Sequence, residues 1–415
     1  MIKYKRKNTD TLRKLSLTGL LSFLFCFLLQ AQQYPFINTE QSKIVYAKDS
    51  SLFMELYKKM DALKKDKRTR VNIAHFGGSH IQAGFWPEVL INGFQAHGNY
   101  EGGGLFLFPF KPIKSNNPSF YRSFGYGKWK RCRCALTKEM CNDLGMSGMG
   151  AVTNDSLTTF GFKLLETSHP KTVNSVKVYH NFNPGYELAL NHETALHFVR
   201  KDFEKKGYSE FTFESFIDSL NFVVLRRDTM HGDFMLRGMS VENSNPGFYY
   251  ASMGVNGAST GSFLRCTEFI NELKSIPPDL VIFTLGVNDT HDVNFSKQAF
   301  IGRYDSLVAN IKKVSPDCAF LFVTTTDNYM NRKTANKRPA KAAEAAYELA
   351  AKHKGAVYDL YAVMGGYKSI YKWYKAGMAA KDKVHFNAKG YRLLAGMMYD
   401  AIDRSYKWNS KLKDK

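Results

Sequence analysis

The sequence is short of acidic residues, of cysteines and of long apolar runs. Its 415 residues include 37 Asp and Glu against 58 Lys and Arg, and only six Cys. Beyond residue 31 no segment is apolar over a length that would cross a bilayer, and there is no internal repeat. What is present is 44% hydrophobic and 14% aromatic residues, which suffices for a sizeable core and is not the composition of a disordered chain.

The first 31 residues predict export. Residues 1–14 carry six basic residues and one acid, and a short apolar stretch follows as far as Ala31. A basic start, an apolar core and a small residue before Gln32 are typical of a secretory signal peptide that is cleaved near Ala31. The alternative is an uncleaved membrane anchor, although the run is short for a spanning helix. Cys26 lacks the small neighbours of a lipoprotein cleavage site, so we expect no lipid anchor.

The charge of the chain favours anionic partners. The formal charge is +21, and removal of residues 1–31 leaves about +16. A basic protein of the periplasm or cell exterior meets cell-wall polymers, acidic glycans and phospholipid head groups. Nucleic acid is the usual partner of a basic protein, but export argues against it. We therefore expect no nucleic-acid partner and no stable membrane insertion after cleavage, and the sequence carries no signal for an oligomeric state.

The cysteines indicate at most a local cross-link. Beyond the signal segment they are Cys132, Cys134, Cys141, Cys266 and Cys318. The run CRCALTKEMC, residues 132–141, is suited to a local disulfide in an oxidising compartment, and the odd total leaves at least one thiol unpaired. A metal site would need ligands that this neighbourhood does not offer.

Hydrophobic patterning divides the chain into three parts. A helical pattern in residues 50–67 precedes the strand-like run RVNIAHF. From about residue 102 to 247, short strand-like runs alternate with Gly, Pro and Asn turns, which favours a β-sandwich or jelly roll. After residue 250, buried-type strands such as DLVIFTLG alternate with amphipathic helices, which predicts a parallel sheet covered on both faces.

We therefore expect a three-layer α/β domain with a parallel sheet, interrupted by a β-sandwich insertion. The expected boundaries are 32–104 for the first part of the α/β domain, 105–247 for the insertion and 248–410 for the second part.

Four short stretches carry residues suited to chemistry. They are GGSH with Ser79; SMGVNGAS with Gly254 and Gly257; LGVND with Asn288; and KDKVHFNAKGY with Asp382 and His385. Ligands of an open parallel sheet bind at the carboxyl ends of its strands, and Ser79 and Asn288 both follow predicted strands directly. Asp382 and His385 precede the last helix, and their spacing lets one loop present both side chains.

These residue types are those of a nucleophilic triad. A serine alone is a poor nucleophile; it needs a base, and the base needs an orienting acid. Taken singly, each stretch is more typical of an ordinary structure: GGSH of a turn, DxxH of a helix cap with a surface histidine, GVND and GVNGAS of loops. Their joint occurrence at strand ends favours a site. The GxSxG elbow of lipases is absent, because Ile81 stands two residues after Ser79.

The four stretches resemble the signature blocks of the SGNH/GDSL hydrolases. Three features are similar to the exported O-acetylesterases that act on peptidoglycan and related glycans. They are the GSHIQAG run, the segment at residues 237–259 that ends in GVNGAS, and the segment at residues 357–391 with its MGG and DKVHF elements. The resemblance implies a flavodoxin-like three-layer fold, with a β-sandwich similar to carbohydrate-binding modules inserted after the first block.

The resemblance also implies the role of each site residue. Ser79 would be the nucleophile, His385 the general base and then acid, and Asp382 the group that orients His385. The oxyanion donors would be the backbone N–H groups of Ser79 and Gly257 and the side-chain amide of Asn288, with Gly254 as the alternative glycine. The implied reaction is a two-step acyl transfer that releases acetate, and it needs no metal or organic cofactor.

Two positions depart from the family pattern. Many relatives have Asp immediately before the serine, where this chain has Gly78, and Thr before the asparagine, where it has Val287. The missing Asp is not a triad member. Glycine adds conformational freedom to the loop that positions Ser79.

The sequence thus predicts an exported serine carboxylic-ester hydrolase that removes O-acetyl groups from peptidoglycan or another acetylated polysaccharide. Two alternatives stay open: a weakly active glycan-binding protein with the same fold, and a lipase or thioesterase. An acetyl transferase with the same chemistry is a further variant. In the insertion, Trp129 lies between two lysines and would suit a stacked sugar, although a core position is the alternative.

Overall fold

The computed structural model describes residues 34–98, 100–191 and 196–413. The expected signal peptide, residues 1–31 with Cys26, lies outside the described residues. Within the described part of the chain, no helix has the length and hydropathy needed to cross a membrane.

The strands and helices alternate at both ends of the chain, and strands dominate its middle. The strands are β1 (Ile44–Tyr46), β2 (Arg70–Gly77), β3 (Gly103–Leu107), β4 (Tyr121–Tyr126), β5 (Lys130–Arg133), β6 (Met149–Thr153), β7 (Leu157–Leu164), β8 (Val173–His180), β9 (Tyr186–Leu190), β10 (Phe198–Phe203), β11 (Tyr208–Ile217), β12 (Ser219–Arg226), β13 (Phe234–Asn243), β14 (Gly247–Gly254), β15 (Leu280–Thr284), β16 (Ala319–Val323), β17 (Tyr329–Met330), β18 (Thr334–Ala335) and β19 (Ala356–Tyr358). The helices are α1 (Ser51–Lys64), α2 (Ser79–Gln82), α3 (Phe85–Ala96), α4 (Phe269–Leu273), α5 (Val287–His291), α6 (Lys297–Lys312), α7 (Arg338–His353), α8 (Leu360–Val363), α9 (Ser369–Lys375) and α10 (Ala388–Lys413).

A parallel sheet forms the centre of the fold. Its strands run in the order β19-β16-β15-β2-β14-β3, and every neighbouring pair among them is parallel. Successive side chains of a strand point to opposite faces. On one face Ile73 of β2 borders the same small internal space as Leu56 of α1 and Ile402 of α10. On the other, Phe283 of β15 packs against Tyr304 of α6, with ring centroids 5.1 Å apart. Helices therefore cover both faces, as the alternating sequence pattern predicts.

The middle of the chain extends this sheet rather than forming a separate one. Strands β13, β8, β11 and β10 continue the sheet beyond β3 in antiparallel order, and β6 and β5 join it through β13. A second sheet, β4-β7-β12-β9, packs over the extension. Phe222 of β12 stacks on Phe160 of β7 at 5.0 Å between centroids, and contacts Phe211 of β11 at 5.2 Å. The two sheets face each other across an aromatic core, while the boundaries at residues 104 and 247 stay a prediction.

Trp129 belongs to that aromatic core. Its side chain is 8% exposed, and its ring packs against Phe160 and Phe234. The indole N–H donates to the carbonyl oxygen of Tyr126 at 3.2 Å. Of the two interpretations of Trp129, the structure supports the core position and not a sugar contact.

The expected local disulfide is present between Cys132 and Cys141. The other cysteines of the described residues, Cys134, Cys266 and Cys318, are buried free thiols.

Candidate active site

Ser79 stands at the carboxyl end of the central strand β2. Two glycines precede it, and the first is required by packing, because a Cβ on Gly77 would lie 2.6 Å from the hydroxyl oxygen of Thr284 and 2.3 Å from a carbon of Ile81. The backbone turns into α2 at Ser79, so that its amide is the first of that short helix. This amide donates to no described group of the protein, which leaves it available to an anion.

A hydrogen-bonded chain links Ser79 to the loop before α10. The hydroxyl of Ser79 lies 2.8 Å from Nε2 of His385, and Nδ1 of His385 lies 2.8 Å from Oδ2 of Asp382. The other carboxylate oxygen of Asp382 accepts from the backbone amides of Val384 and His385, at 2.9 and 3.0 Å. Asp382 is thereby fixed by its own loop, and it holds the imidazole with Nε2 directed at the serine.

The hydrogen bonds to Asp382 favour its ionised form. Partial burial raises the pKa of its carboxyl, but the hydrogen bonds from the His385 side chain and from the loop amides outweigh burial, so that the pKa lies below its usual value. A carboxylate at this position favours the His385 tautomer that carries its proton on Nδ1. In that tautomer Nε2 is free to accept the proton of Ser79.

His80 is a neutral neighbour of the triad. Its ring stacks on that of His385 with centroids 5.5 Å apart, and it also packs against Phe386 and Tyr391. Burial, together with the nearby His385, lowers the pKa of His80 to about 3. Neither ring nitrogen of His80 has a hydrogen-bond partner among the described residues. His80 therefore packs as a neutral ring against His385.

The glycine of the second block that borders the site is Gly257. A cleft of about 890 Å³ is lined by Ser79, Gly257, Asn288 and His385 together with loop residues. Gly257 has a left-handed φ of +85°, which favours glycine, and its amide donates to no described group. Gly254 ends β14 with its α-carbon packed on the α2 backbone: a Cβ there would lie 2.2 Å from the amide nitrogen of Gln82. Gly254 thus has a packing role, and of the two glycines Gly257 is the one that lines the cleft.

Asn288 presents its side-chain amide between the serine loop and the glycine loop. One N–H donates to the carbonyl oxygen of Ala258 at 2.9 Å, and a side-chain amide carries a second N–H. The next residue, Asp289, is buried and accepts from both the amide and the hydroxyl of Thr260. Asp289 therefore ties the loop of Asn288 to the loop of Gly257.

Sequence reasoning missed the residues that connect these loops. Besides Asp289 and Thr260, these include Gln82, whose side-chain oxygen accepts from the amide of Asn256 at 2.7 Å and whose amide donates to Ser115 at 3.2 Å. Gln82 is part of the GSHIQAG run, so the sequence placed it near Ser79 but did not predict its hydrogen bonds to the neighbouring loops. Of the five residues predicted for the site, Ser79, Gly257, Asn288 and His385 line the cleft, and Asp382 is hydrogen-bonded to His385.

Residues 115–122, which lead into β4 of the second sheet, form one wall of this cleft. The wall consists mainly of small and polar side chains, and the members that line the cleft are Ser115, Asn116, Asn117, Pro118, Ser119 and Arg122. Asn117 accepts from both the amide and the hydroxyl of Ser123 at 3.0 and 2.6 Å, which fixes this loop on β4.

Known proteins resemble this chain in part of its sequence and in its fold. Residues 233–393 match the model of the GDSL-like lipase/acylhydrolase family. The structure is similar to that of a peptidoglycan O-acetylesterase, with a TM-score of 0.68 and 20% identity, over 85% of this chain and 96% of that chain. Residues 233–393 are thus similar to the GDSL-like acylhydrolases, and the chain shares its fold with the O-acetylesterase. The shared fold covers the middle segment as well as the parallel sheet.

Two further similarities cover a smaller part of the chain. A lipase/acylhydrolase from Enterococcus faecalis aligns over 38% of this chain and 77% of its own, with 22% identity and a TM-score of 0.30. A GDSL-like lipase from Bacteroides thetaiotaomicron aligns over 38% of this chain and 76% of its own, with 18% identity and a TM-score of 0.30. No curated protein matches the sequence. Ser79 lies outside the segment that the family model matches, and the fold alone brings it to His385.

Proposed function

We propose that the chain is an exported serine esterase that removes O-acetyl groups from a glycan. The observation that carries the proposal is the unbroken chain from Ser79 through His385 to Asp382, with 2.8 Å at each link. Its position beside two unengaged backbone amides and a side-chain amide supports acyl transfer through an oxyanion.

In the proposed reaction the hydroxyl oxygen of Ser79 attacks the ester carbonyl carbon, and Nε2 of His385 accepts the hydroxyl proton of Ser79. The negative charge on the carbonyl oxygen is stabilised by the N–H groups of Ser79 and Gly257 and by the free N–H of Asn288. His385 then gives its proton to the departing sugar hydroxyl, which leaves an acetylated Ser79. Water activated by His385 attacks this ester, and acetate is released while Ser79 regains its proton.

An acetylated glycan suits the lining of the cleft. Asparagines and serines from residues 115–119, with Asn256 and Asn387, supply hydrogen-bonding groups, while Phe85, Phe386 and Tyr391 supply apolar and aromatic surface. The number of hydrogen-bonding groups favours a sugar over a long acyl chain. The fold similarity to a peptidoglycan O-acetylesterase extends over most of the chain and supports peptidoglycan as the first polymer to test. A weakly active glycan-binding protein is the remaining alternative, and Gly78 is the feature that favours it.

The test is acetate release by the mature protein and by Ser79→Ala. The substrates are O-acetylated peptidoglycan, acetylated xylan and 4-nitrophenyl acetate. Ser119→Ala is the matched control, because it makes the same change in the wall of the same cleft. We expect Ser79→Ala to abolish release and Ser119→Ala to retain it. Equal release by wild type and Ser79→Ala on every substrate would refute the esterase and leave the glycan-binding alternative.

Export is tested separately. Cell fractionation followed by N-terminal sequencing of the mature protein is expected to find it outside the cytoplasm and to begin near Gln32. A cytoplasmic protein that begins at Met1 would contradict this part of the proposal.

A further inference from the structure

A basic aromatic surface adjoins the loop that holds the triad. It consists of three tyrosines and three lysines, which we call the tyrosine–lysine patch: Tyr329, Tyr367, Tyr371, Lys368, Lys375 and Lys383. Lys383 lies between Asp382 and His385 in the sequence, and its carbonyl oxygen accepts from the amide of Tyr329 at 3.0 Å. The patch is therefore built onto the catalytic loop itself.

Aromatic rings contact all three lysines, and the ammonium of Lys383 also donates to the carbonyl oxygen of Arg332 at 2.7 Å. The ammonium of Lys383 lies 5.1 Å from the ring centroid of Tyr329 and 5.6 Å from that of Tyr371. Lys368 lies 5.4 Å from the centroid of Tyr367, and Lys375 lies 5.8 Å from that of Tyr371. Each of these distances is within the range of a cation–π contact.

The acidic groups of this region are already engaged. Asp382 is paired with His385, and the buried Asp327 accepts from the amide of Ile370 in α9. In the described part of the chain, none of the three patch lysines lies within ion-pair distance of a carboxylate, whereas Lys297 and Lys352 on other helices each do. An incoming anion can therefore bind the patch without displacing a carboxylate of the protein.

The exposed rings add a second kind of contact. Tyr367 is 43% exposed and Tyr371 is 41% exposed, and both stand on or next to α9. Tyrosine faces and hydroxyls suit the faces and hydroxyl groups of sugar rings, as amphipathic aromatic side chains do at wet interfaces. Ile370 in the same helix is fully buried, so it offers no aliphatic side chain to the acyl region of a membrane.

We propose that the tyrosine–lysine patch binds a carboxylate-bearing polysaccharide chain and presents its acetyl ester to Ser79. The inference rests on the proposed function, because it names the substrate class of the same site. Ammonium groups are compact charges that pair with sugar carboxylates. Lys383 of the patch lies two residues before His385 in the sequence. Neutral glycans would gain only the aromatic contacts.

The test compares two double variants that remove the same charge. Lys368→Gln with Lys375→Gln alters the patch, and Lys375 is the last residue of α9. Lys64→Gln with Lys65→Gln is the control: Lys64 is the last residue of α1, and the segment lies before β2, at the edge of the sheet opposite Ser79. Both pairs are made in the Ser79→Ala background, and binding of polygalacturonate and of neutral glucomannan is measured by calorimetry.

We expect the patch variant to raise the Kd for polygalacturonate about 5-fold, since exposed ion pairs are individually weak. The control variant and the glucomannan titrations should not change. Raising NaCl from about 20 mM to about 300 mM should abolish the difference between patch variant and parent, because exposed charges are screened. In the active enzyme, the same patch variant should raise KM for O-acetylated peptidoglycan and leave kcat on 4-nitrophenyl acetate unchanged.

Three results would overturn the inference. One is an equal rise in Kd for both double variants, which would indicate net charge and not the patch. Another is unchanged binding in the patch variant. The third is loss of binding to anionic phospholipid vesicles while polygalacturonate binding is kept, which would make the patch a membrane surface. Because binding is measured without Ser79, its result is independent of whether the esterase proposal holds.

Discussion

Gly78 is the position at which the smallest change should reveal the oxyanion site. Its φ of −94° is negative, so Gly78→Ala does not place a side chain in the left-handed region that favours glycine. A Cβ there would lie 3.2 Å from the side-chain nitrogen of Asn288 and 3.6 Å from the carbonyl oxygen of Ala258. The first contact is tighter than a usual carbon–nitrogen approach, so the amide of Asn288 must move by a few tenths of an ångström.

The size of the effect follows from that displacement. A misplacement of about 1 Å in an active site can cost about 100-fold in rate, so a few tenths should cost about 3- to 10-fold in kcat. This corresponds to about 0.7 to 1.4 kcal/mol of transition-state stabilisation. The loss of kcat in Gly78→Ala should not exceed that in Asn288→Ala, because loss of a whole oxyanion donor typically costs about 100- to 1000-fold in rate. Global stability should change little, since an alanine at a glycine position with negative φ gains about 0.4 to 1 kcal/mol, which the tight contact offsets.

A double-mutant cycle tests this reasoning. The kcat on 4-nitrophenyl acetate is measured for wild type, Gly78→Ala, Asn288→Ala and the double variant, with urea unfolding of each. If Gly78→Ala acts through Asn288, it should have no effect in the Asn288→Ala background. An equal loss in both backgrounds would refute the mechanism, and so would a Gly78→Ala enzyme that is faster than wild type.

Three further variants test other parts of the structure. Asp382→Asn should lower kcat about 10⁴-fold on 4-nitrophenyl acetate, because the amide favours the wrong tautomer of His385. Burial raises the pKa of Asp327 to about 6, above its unfolded value, so the wild type loses stability as the pH rises from about 4 to about 6. Asp327→Asn should remove this pH-dependent loss, which amounts to up to about 3 kcal/mol in the free energy of unfolding. An unpaired amide at this position offsets about 1 to 2 kcal/mol of that gain. Urea unfolding at pH 4 and pH 8 measures the difference. Trp129→Ala should lower the free energy of unfolding by about 3 to 5 kcal/mol and leave glycan affinity unchanged.

Each of these variants has a contrary outcome. A loss of kcat in Asp382→Asn no larger than about 10-fold would show that the loop amides alone orient His385. An Asp327→Asn variant whose stability keeps the pH dependence of wild type would place the titrating group elsewhere. Weaker glycan binding by folded Trp129→Ala would restore that residue as a sugar contact.

The site was predictable because each of its residues is tied to a local feature of the sequence. Ser79 and Asn288 each follow a short apolar run, and parallel strands bring the residues after such runs to one edge of the sheet. Asp382 and His385 share one loop, so their contact depends on a spacing of three residues. The choice of Gly257 over Gly254 needed the structure, because it depends on which α-carbon packs against α2.

The course of the sheet was not predictable from local pattern. Alternating strands indicated a sandwich in the middle of the chain, but the pairing of β3 with β13 joins residues more than a hundred positions apart. Trp129 shows the same limit: its neighbouring lysines suggested a surface position, whereas its indole packs against Phe160 and Phe234, which lie far along the chain. Periodicity gives the buried face of a strand and not the partner that covers it.

The continuous sheet explains how the middle segment contributes to the cleft. β3 pairs in parallel with β14 on one side and antiparallel with β13 on the other, so the loop that follows β3 is carried to the carboxyl edge where Ser79 stands. Gln82, three residues after the serine, bonds both to Ser115 in that loop and to Asn256 beside the oxyanion glycine. A freely jointed binding module could not hold such contacts. The segment therefore lines the candidate cleft, and Ser115→Ala should raise KM for polymeric substrates.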